Sequence, residues 1–346
     1  MTPSFAPSAT LLNARGPAQH AFHEQAAHAA RRRFGRKVFV RAVVEVSNFC
    51  RENCAYCGMR RDNRGLARYR ADHDQLAELL LNHLPASVTD VNIQAGEDPV
   101  AVRETVLPLL RTLRRETSLG LSVCLGSLNA ATCAALQEAG ASVFIIKFEI
   151  ADAARYAALE APGEFAERLA HIRHLAATGW HVSSGFIAGL PGQDMAGLLQ
   201  NFALANELPL AGCSVSPFIP GDETPLAGTR MAGIDLTLNC MAALRLMRPD
   251  WVIPSVSALN LAEPGQGYRR GLRTGANLVT INLTPADIRG NYLLYKRDRF
   301  IMTEDRILGA LAEEGLSPSE QSLADFLRTA GTVNAAPARA LEAVRV

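Results

Sequence analysis

The chain has 346 residues and a mass of 37.2 kDa, with 48% apolar and 20% charged residues, which is enough to bury a large core and too apolar for a disordered protein. Its 35 basic and 34 acidic side chains leave a formal net charge of +1, so no long-range field for nucleic acid or an anionic membrane is expected. No stretch approaches the roughly 20 consecutive apolar residues of a membrane helix, and the start MTPSFAPSATLLNARG lacks the order of a secretory signal, so a cytoplasmic protein is expected.

A polar leader precedes AFHEQAAHAARRRF, which is helical in composition. Arg31, Arg32 and Arg33, followed by Arg36 and Lys37, fall where that helix gives way to a strand, and cations there complement a helix C-terminus. Eight β-like apolar runs follow: Val38–Val46, Val91–Gln94, Leu121–Leu125, Val143–Phe148, His181–Ile187, Cys213–Phe218, Val252–Val256 and Leu278–Ile281. Between them lie amphipathic stretches such as DQLAELLLNHL, VLPLLRTLRRE, AATCAALQEAG and TLNCMAALRLM, long enough for the crossovers that parallel strands need. The pattern predicts an α/β chain folded as a (β/α)8 TIM-type barrel, closed or partly opened, with a doubly wound open sheet as the structural alternative. On this reading residues 1–37 are a leader and helix, 38–315 the barrel, and 316–346 an appendage with one helix and an Ala-rich end. A barrel places reactive residues just after its strands, at the C-terminal rim.

Three of the seven cysteines, Cys50, Cys54 and Cys57, fall in CRENCAYC directly after the first run. An odd count with a cluster points to reduced thiols that bind metal or react, not to a disulfide framework. Structural zinc takes four ligands, and the nearest later candidate is His73. A redox pair of Cys54 and Cys57 leaves Cys50 without a role. Three thiolates also suit a four-iron, four-sulfur cluster whose fourth iron stays open, and an open position on a metal is where a reactant binds. Cys133 and Cys240 on helical stretches, and Cys213 opening the sixth run, read as buried packing groups.

At CRENCAYC the chain resembles the radical S-adenosylmethionine (radical SAM) enzymes, which carry three cysteines at this spacing with an aromatic residue before the last, here Tyr56. The resemblance implies a 4Fe-4S cluster on Cys50, Cys54 and Cys57, with S-adenosylmethionine chelating the open iron. It also implies reductive cleavage of S-adenosylmethionine to methionine and a 5′-deoxyadenosyl radical that takes hydrogen from a substrate, with electrons from a donor such as flavodoxin or ferredoxin. QAGEDP after the second run resembles the family's Gly-Gly-Glu segment, which implies cofactor contacts at Gln94, Ala95, Gly96 and Glu97. GFIAGLPGQ resembles the Gly-x-Ile-x-Gly strand that passes the adenine, here Gly185, Ile187 and Gly189. Arg168 matches a position that pairs with the cosubstrate carboxylate, and is otherwise a solvated helix arginine. Lys147 and Glu149 alternate inward at the end of the fourth run, where a buried charge needs a partner or a job. They are expected to be catalytic, with Glu149 also gripping the cosubstrate.

Longer stretches, including VRAVVEVSNFCRENCAYCGMRRDNRGLARYR, SPFIPGDETPLAG and GANLVTINLTP, resemble the branch that holds biotin synthase, methylornithine synthase and the maturase of iron-only hydrogenase, the maturase most of all. Biotin synthase's second cluster has no counterpart, since the corresponding positions read Asn92 to Gln94 and Ser183, with Cys124 alone nearby. Where the maturases carry Arg-His-Glu-Thr, this chain has Lys147, Phe148, Glu149 and Ile150, a change that bears on the substrate because lysine lacks the planar fork of arginine. The polar groups Ser216, Ser255, Ser257, Thr280, Asn282 and Thr284 follow the last three runs and either orient a small ligand or bond to backbone. The resulting expectation is a radical SAM enzyme acting on a small, amino-acid-like substrate. A methylornithine-synthase-like lysine mutase and a non-catalytic iron-sulfur scaffold are the alternatives.

Overall fold

The computed structural model describes residues 5–297 and 301–330. Its centre is a parallel sheet of strands β1 (Lys37–Ser47), β2 (Asp90–Ala95), β3 (Gly120–Cys124), β4 (Val143–Ile145), β5 (His181–Ala188), β6 (Gly212–Pro217) and β7 (Leu278–Asn282), hydrogen-bonded in the order β6-β5-β4-β3-β2-β1-β7. The two edges meet through single parallel bridges, Gly212 to Val252 and Pro254 to Leu278. The run expected as a seventh strand does bond to both edges, through Val252 on one side and Ile253 and Ser255 on the other, but Pro254, with no N–H to donate, reduces it to these bridges. The fourth strand is also shorter than expected and its regular pairing ends at Ile145, with Lys147 and Glu149 beyond it.

Period-two alternation sorts every strand into two faces. Val38, Val40, Ala42, Val44 and Val46 of β1 join Val91, Ile93, Leu121, Val123, Phe144, Val182, Phe186, Cys213, Val215, Val279 and Ile281 in one core under the surrounding helices. The inward set is graded along the axis. At the base Phe39, Val143, Val252 and Leu278 form an apolar plug with Leu323 and Leu327. Above it the inward positions are Arg41, Glu45, Asn92, Gln94, Ser122, Cys124 and Thr280, with Glu45, Gln94 and Cys124 at one level of the register.

The helices form where apolar residues recur at helical spacing beside a cap. Asp72 caps His73–Asn82, and Asn129 caps Ala130–Glu138. Leu109, Leu110 and Leu113 bury one face of Leu107–Glu116. Helix Gly16–Phe34 ends in Arg31, Arg32 and Arg33 as expected and lies along Ile234–Met247, where Gln19 and His23 bond the Asn239 amide. The leader differs from the expectation: Ala9–Leu12 is a short helix, and Leu12 is fully buried with its carbonyl on the Asn239 amide.

The tail is less separate than an appendage. Strand β8 (Ser317–Pro318) pairs with the start of β1, and buried Asp90 accepts the amides of Leu323 and Ala324 at the start of helix Leu323–Thr329. That helix supplies the plug residues. The Ala-rich end lies outside the described residues. Among the described residues no helix is long and apolar enough to cross a membrane.

Candidate active site

The segment that leaves β1 is held as a loop by side chains bonding to backbone. Asn48 donates to the carbonyls of Ala67 and Asn291 and accepts from the Tyr69 amide. Arg68 donates to the carbonyls of Asn48, Met59, Arg60 and Asn63, gathering both arms of the loop on one guanidinium. A register shift after Glu45 turns Ser47 toward Asp98, which also takes a bidentate pair of bonds from Arg70 at 2.7 and 3.1 Å.

This loop presents Cys54, which is buried, and Cys50 and Cys57, which are half-buried. Burial, followed by the nearness of Cys57 and Cys50, pushes the Cys54 thiol well up, and burial raises Cys57 to about 12. Thiols so disfavoured as bare thiolates bind best to a cationic centre that takes up their charge. Among the described residues no three His, Cys, Asp or Glu side chains converge closely enough for one metal ion. A multi-iron cluster is wider than an ion and carries its thiolates farther apart, so three mutually interacting, soft, protein-shielded sulfurs fit it. His73, the candidate fourth zinc ligand, sits on its own helix against Asp74.

The QAGE turn is built into the same loop. Gly96 donates to the Ser47 carbonyl, and the Glu97 amide lies 3.4 Å from Cys50 Sγ. A β-carbon at Gly96 would stand 2.2 Å from the Phe49 carbonyl oxygen, so only glycine lets the cysteine loop lie this close. Gln94 points into the lumen toward Asn92, whereas the Ala95 side chain belongs to the outer core. The Glu97 carboxylate accepts from Arg51 Nε at 3.1 Å, from the Ser127 amide at 3.0 Å and from Arg168 Nη2 at 3.0 Å. Arg168 is thus a buried ion-pair partner that also donates to the Pro162 carbonyl, not a solvated helix arginine. Burial disfavours its charge, yet Glu97 and Tyr156 hold the guanidinium above its ordinary range.

Opposite the thiols stand Lys147 and Glu149, with Nζ 2.8 Å from Oε2. Their neighbours Phe144, Ile146 and Phe148 face the outer core, so both charges point inward. Glu149 adopts φ 61°, a left-handed conformation that a non-glycine residue holds only where its surroundings impose it. Hydrogen bonds across to β5 do so: its amide donates to the Gly185 carbonyl and its carbonyl accepts from Ile187. The carboxylate lies near enough to raise the Cys54 and Cys57 thiols further. Burial lowers and Glu149 more than restores the Lys147 ammonium, which ends above its usual range.

Gly185 makes a close approach of its own, since a β-carbon there would meet Ser214 Oγ at 2.2 Å and the Ser214 carbonyl at 2.4 Å, so it serves the β5–β6 pairing. Ile187 packs with Ile150, Tyr156, Leu190 and Phe218, and Tyr56 joins that cluster from the cysteine loop. Gly189, at φ 84°, turns the chain with its amide on Gln193.

Several lumen groups belong to no marked motif in the sequence, Cys124 being notable there only as a lone thiol after the third run. Arg41, four residues before Glu45 on the same face of β1, donates from Nε to Thr280 at 3.0 Å. Cys124, its thiol raised by burial to about 11, lies near Arg41, Lys147 and Glu149. Tyr292 bonds Gln94, and Tyr295 bonds Ser216 and feels Lys147 and Glu149. The charges of Arg41 and Glu45 at period two in an apolar strand were a legible signal; the tyrosines, on an irregular segment, gave none. Several of the late polar groups prove satisfied by protein: Ser255 donates to the Tyr268 carbonyl, Thr284 bonds Glu45, and Asn282 accepts from the Thr284 amide. Ser257 is exposed.

Comparison with known proteins agrees with this geometry. The model of the radical SAM superfamily matches residues 44–205, which span the cysteine loop through β5. The [FeFe] hydrogenase maturase subunit HydE of Thermotoga maritima is 31% identical over 287 residues, 83% of this chain and 82% of its own. The 3-methylornithine synthase of Methanosarcina acetivorans is 27% identical over 84% of this chain and 82% of its own. The crystal structure of methylornithine synthase (PylB) superposes with a TM-score of 0.80 at 25% identity, covering 92% of this chain and 94% of that one. With a conserved-length match on this scale around a rim that gathers three thiols, the chain belongs to the radical SAM superfamily, whose enzymes use a 4Fe-4S cluster and S-adenosylmethionine.

Proposed function

We propose that Cys50, Cys54 and Cys57 hold the cluster, that Glu149 and the Gln94–Glu97 turn hold the amino-acid part of S-adenosylmethionine, and that the polar lumen holds a small, amino-acid-like substrate. The single observation that carries the reading is the placement of the inward Lys147–Glu149 pair across from the three thiols at the open end of the lumen. When bound, the cluster supplies the electron that cleaves S-adenosylmethionine to methionine and a carbon radical able to take hydrogen from a substrate. The chain's own part is binding, orientation and exclusion of water. The imposed backbone of Glu149 fixes its carboxylate before ligands arrive. Arg168 acts through Glu97 as a positioning residue that fixes the turn beside Cys50. Gly185, Ile187 and Gly189 shape the wall where adenine would lie, with Tyr56 against the same cluster. Lys147 and Arg41 offer two cationic groups, and Glu149 and Glu45 two anionic ones, which suits a substrate carrying both amino and carboxylate groups.

The substrate reading follows the hydrogenase maturase relative, with lysine at 147 and isoleucine at 150 marking a different ligand from that protein's own. A lysine mutase like methylornithine synthase is the second reading, favoured by the superposition over nearly the full length of both chains. The protein would work in the reducing cytoplasm with a flavodoxin or ferredoxin as donor. The test is to supply reconstituted, dithionite-reduced protein and S-adenosylmethionine with amino acids and their simple derivatives one at a time. One of them should raise 5′-deoxyadenosine formation severalfold and lose hydrogen to it. If none does while the cosubstrate is cleaved, the amino-acid reading is wrong.

A further inference from the structure

Between β4 and β5 the pairing gains a residue. Ile145 pairs with Ser183, and the next bridge joins Glu149 to Phe186, so four steps along one chain answer three along the other. In a regular parallel ladder, an Ile146 amide on the Ser183 carbonyl would be followed by a Phe148 amide on the Gly185 carbonyl. Here Glu149 takes that carbonyl at 3.0 Å, and the Phe148 amide is displaced from the ladder. An extra residue of this kind is a β-bulge, rare between parallel strands and able to re-aim a side chain beside a site. The left-handed Glu149, at φ 61°, is where this one turns.

A bulge in a buried strand leaves amides that must find acceptors elsewhere. Two side chains supply them. Ser184 Oγ accepts from the Phe148 amide at 3.2 Å, and Asn201 Oδ1 accepts from the Ala151 amide at 2.8 Å. Both residues are fully buried. Ser184 shares its face of β5 with Val182 and Phe186, which pack under the helices. Asn201 comes from helix Met195–Glu207, whose Phe202 packs on Phe186 from that same side. Neither residue faces the lumen. Asn201 uses only its oxygen there, since Nδ2 is buried without a hydrogen-bond partner among the described residues, a cost that an apolar side chain of similar size would not carry. Packing alone therefore does not account for an asparagine at this position.

We propose that Ser184 and Asn201 are positioning residues for the candidate site: they hold residues 146–151 in the bulged register and so aim Glu149, and Lys147 with it, at the thiols. The consequence for S-adenosylmethionine rests on the reading of Glu149 as its ligand; the geometry does not. Without the Ser184 hydroxyl, the Phe148 amide regains a protein partner by taking the Gly185 carbonyl, which moves Glu149 off it. Without the Asn201 oxygen, the Ala151 amide is stranded on the far side of Glu149 and the segment loses its second anchor. Either change loosens a carboxylate that must be in place before the cosubstrate arrives.

The test compares Ser184→Ala, Asn201→Leu, the conservative Ser184→Thr and a control, Val182→Ala, which removes buried volume from the same face where the ladder is regular. Two quantities are read on anaerobically reconstituted protein: amide hydrogen exchange of peptides spanning residues 146–151, and the dissociation constant of S-adenosylmethionine without reductant. Ser184→Ala and Asn201→Leu should each speed exchange in those peptides about tenfold and weaken S-adenosylmethionine binding about tenfold, with iron content unchanged. Ser184→Thr should restore both, and Val182→Ala should lower the melting temperature while leaving both at the natural level. In a Glu149→Gln background, Ser184→Ala should weaken the cosubstrate no further, since it acts through that carboxylate. Unchanged exchange in both variants overturns the proposal, as does equal acceleration by Val182→Ala or full additivity with Glu149→Gln. If Glu149→Gln alone leaves S-adenosylmethionine binding intact, the role given to Glu149 falls, and the exchange data still decide whether Ser184 and Asn201 hold the segment.

Discussion

Arg168 Nη2 stands 3.0 Å from Glu97 Oε1, joining helix Phe165–Ala177 to the turn after β2 through two almost wholly buried charges. Because the Glu97 amide also lies on Cys50, this pair links a distant helix to the thiol loop. Removing one partner strands the other charge. Arg168→Met should lower unfolding free energy by about 3 kcal/mol, the low end for a broken buried pair, since Arg51 still partners Glu97. Denaturant titration checks this, and the double variant with Glu97→Gln should recover part of the loss. A cost below about 1 kcal/mol would show that the pair is not held as described.

Gly96 makes a sharper prediction, because the space beside it is filled by rigid backbone. Gly96→Ala places a methyl 2.2 Å from the Phe49 carbonyl oxygen and 2.9 Å from the Cys50 β-carbon, so the cysteine loop must shift. Iron and sulfide content after anaerobic reconstitution should drop by at least half while the melting temperature falls only by several degrees. Full iron loading in this variant would mean that the loop tolerates displacement and that the close approach has no bearing on the centre.

His171 gives a pH dependence away from the thiols. Burial first, then Arg168 and His174, lower its imidazolium to about 4, and its Nε2 is buried without a hydrogen-bond partner against Phe144. The folded pKa is depressed below the unfolded value of 6.5, so the unfolded chain binds the proton first as pH falls. Stability should therefore be lost between about pH 6.5 and 4, by about 1–2 kcal/mol once partial exposure is allowed for. His171→Gln should reduce that slope, leaving the part due to His23 and His181, which burial also lowers. An unchanged slope would remove His171 from the account.

Much of the scaffold was legible because its periodicities are strong. The near-continuous apolar run VFVRAVVEV belongs to a parallel strand buried on both faces, and the helical spacing in VLPLLRTLRRE to a helix that buries one. The seventh run was read at the right place, bonded to both neighbouring strands, but Pro254 interrupts its ladder and leaves two bridges instead of a regular strand. The tail's single helix was legible, but its place was not, since it is set by Asp90, more than two hundred residues earlier. At the site, the thiol spacing and the inward parity of Lys147 and Glu149 could be read directly. The Arg168–Glu97 pair could not, since it depends on a contact between residues 71 apart. Nor did the sequence show that Gly96 and Gly185 also serve close approaches within the protein, because what a β-carbon at each would strike is brought there by the fold.

The most direct test is anaerobic reconstitution with iron and sulfide, reduction with dithionite in the presence of S-adenosylmethionine, and assay of 5′-deoxyadenosine, with Cys57→Ala alongside. The expected result is about four irons per chain, no zinc, and product from the intact protein only. Zinc in place of iron, or no product despite a full cluster and bound S-adenosylmethionine, with and without amino-acid substrates, would contradict it.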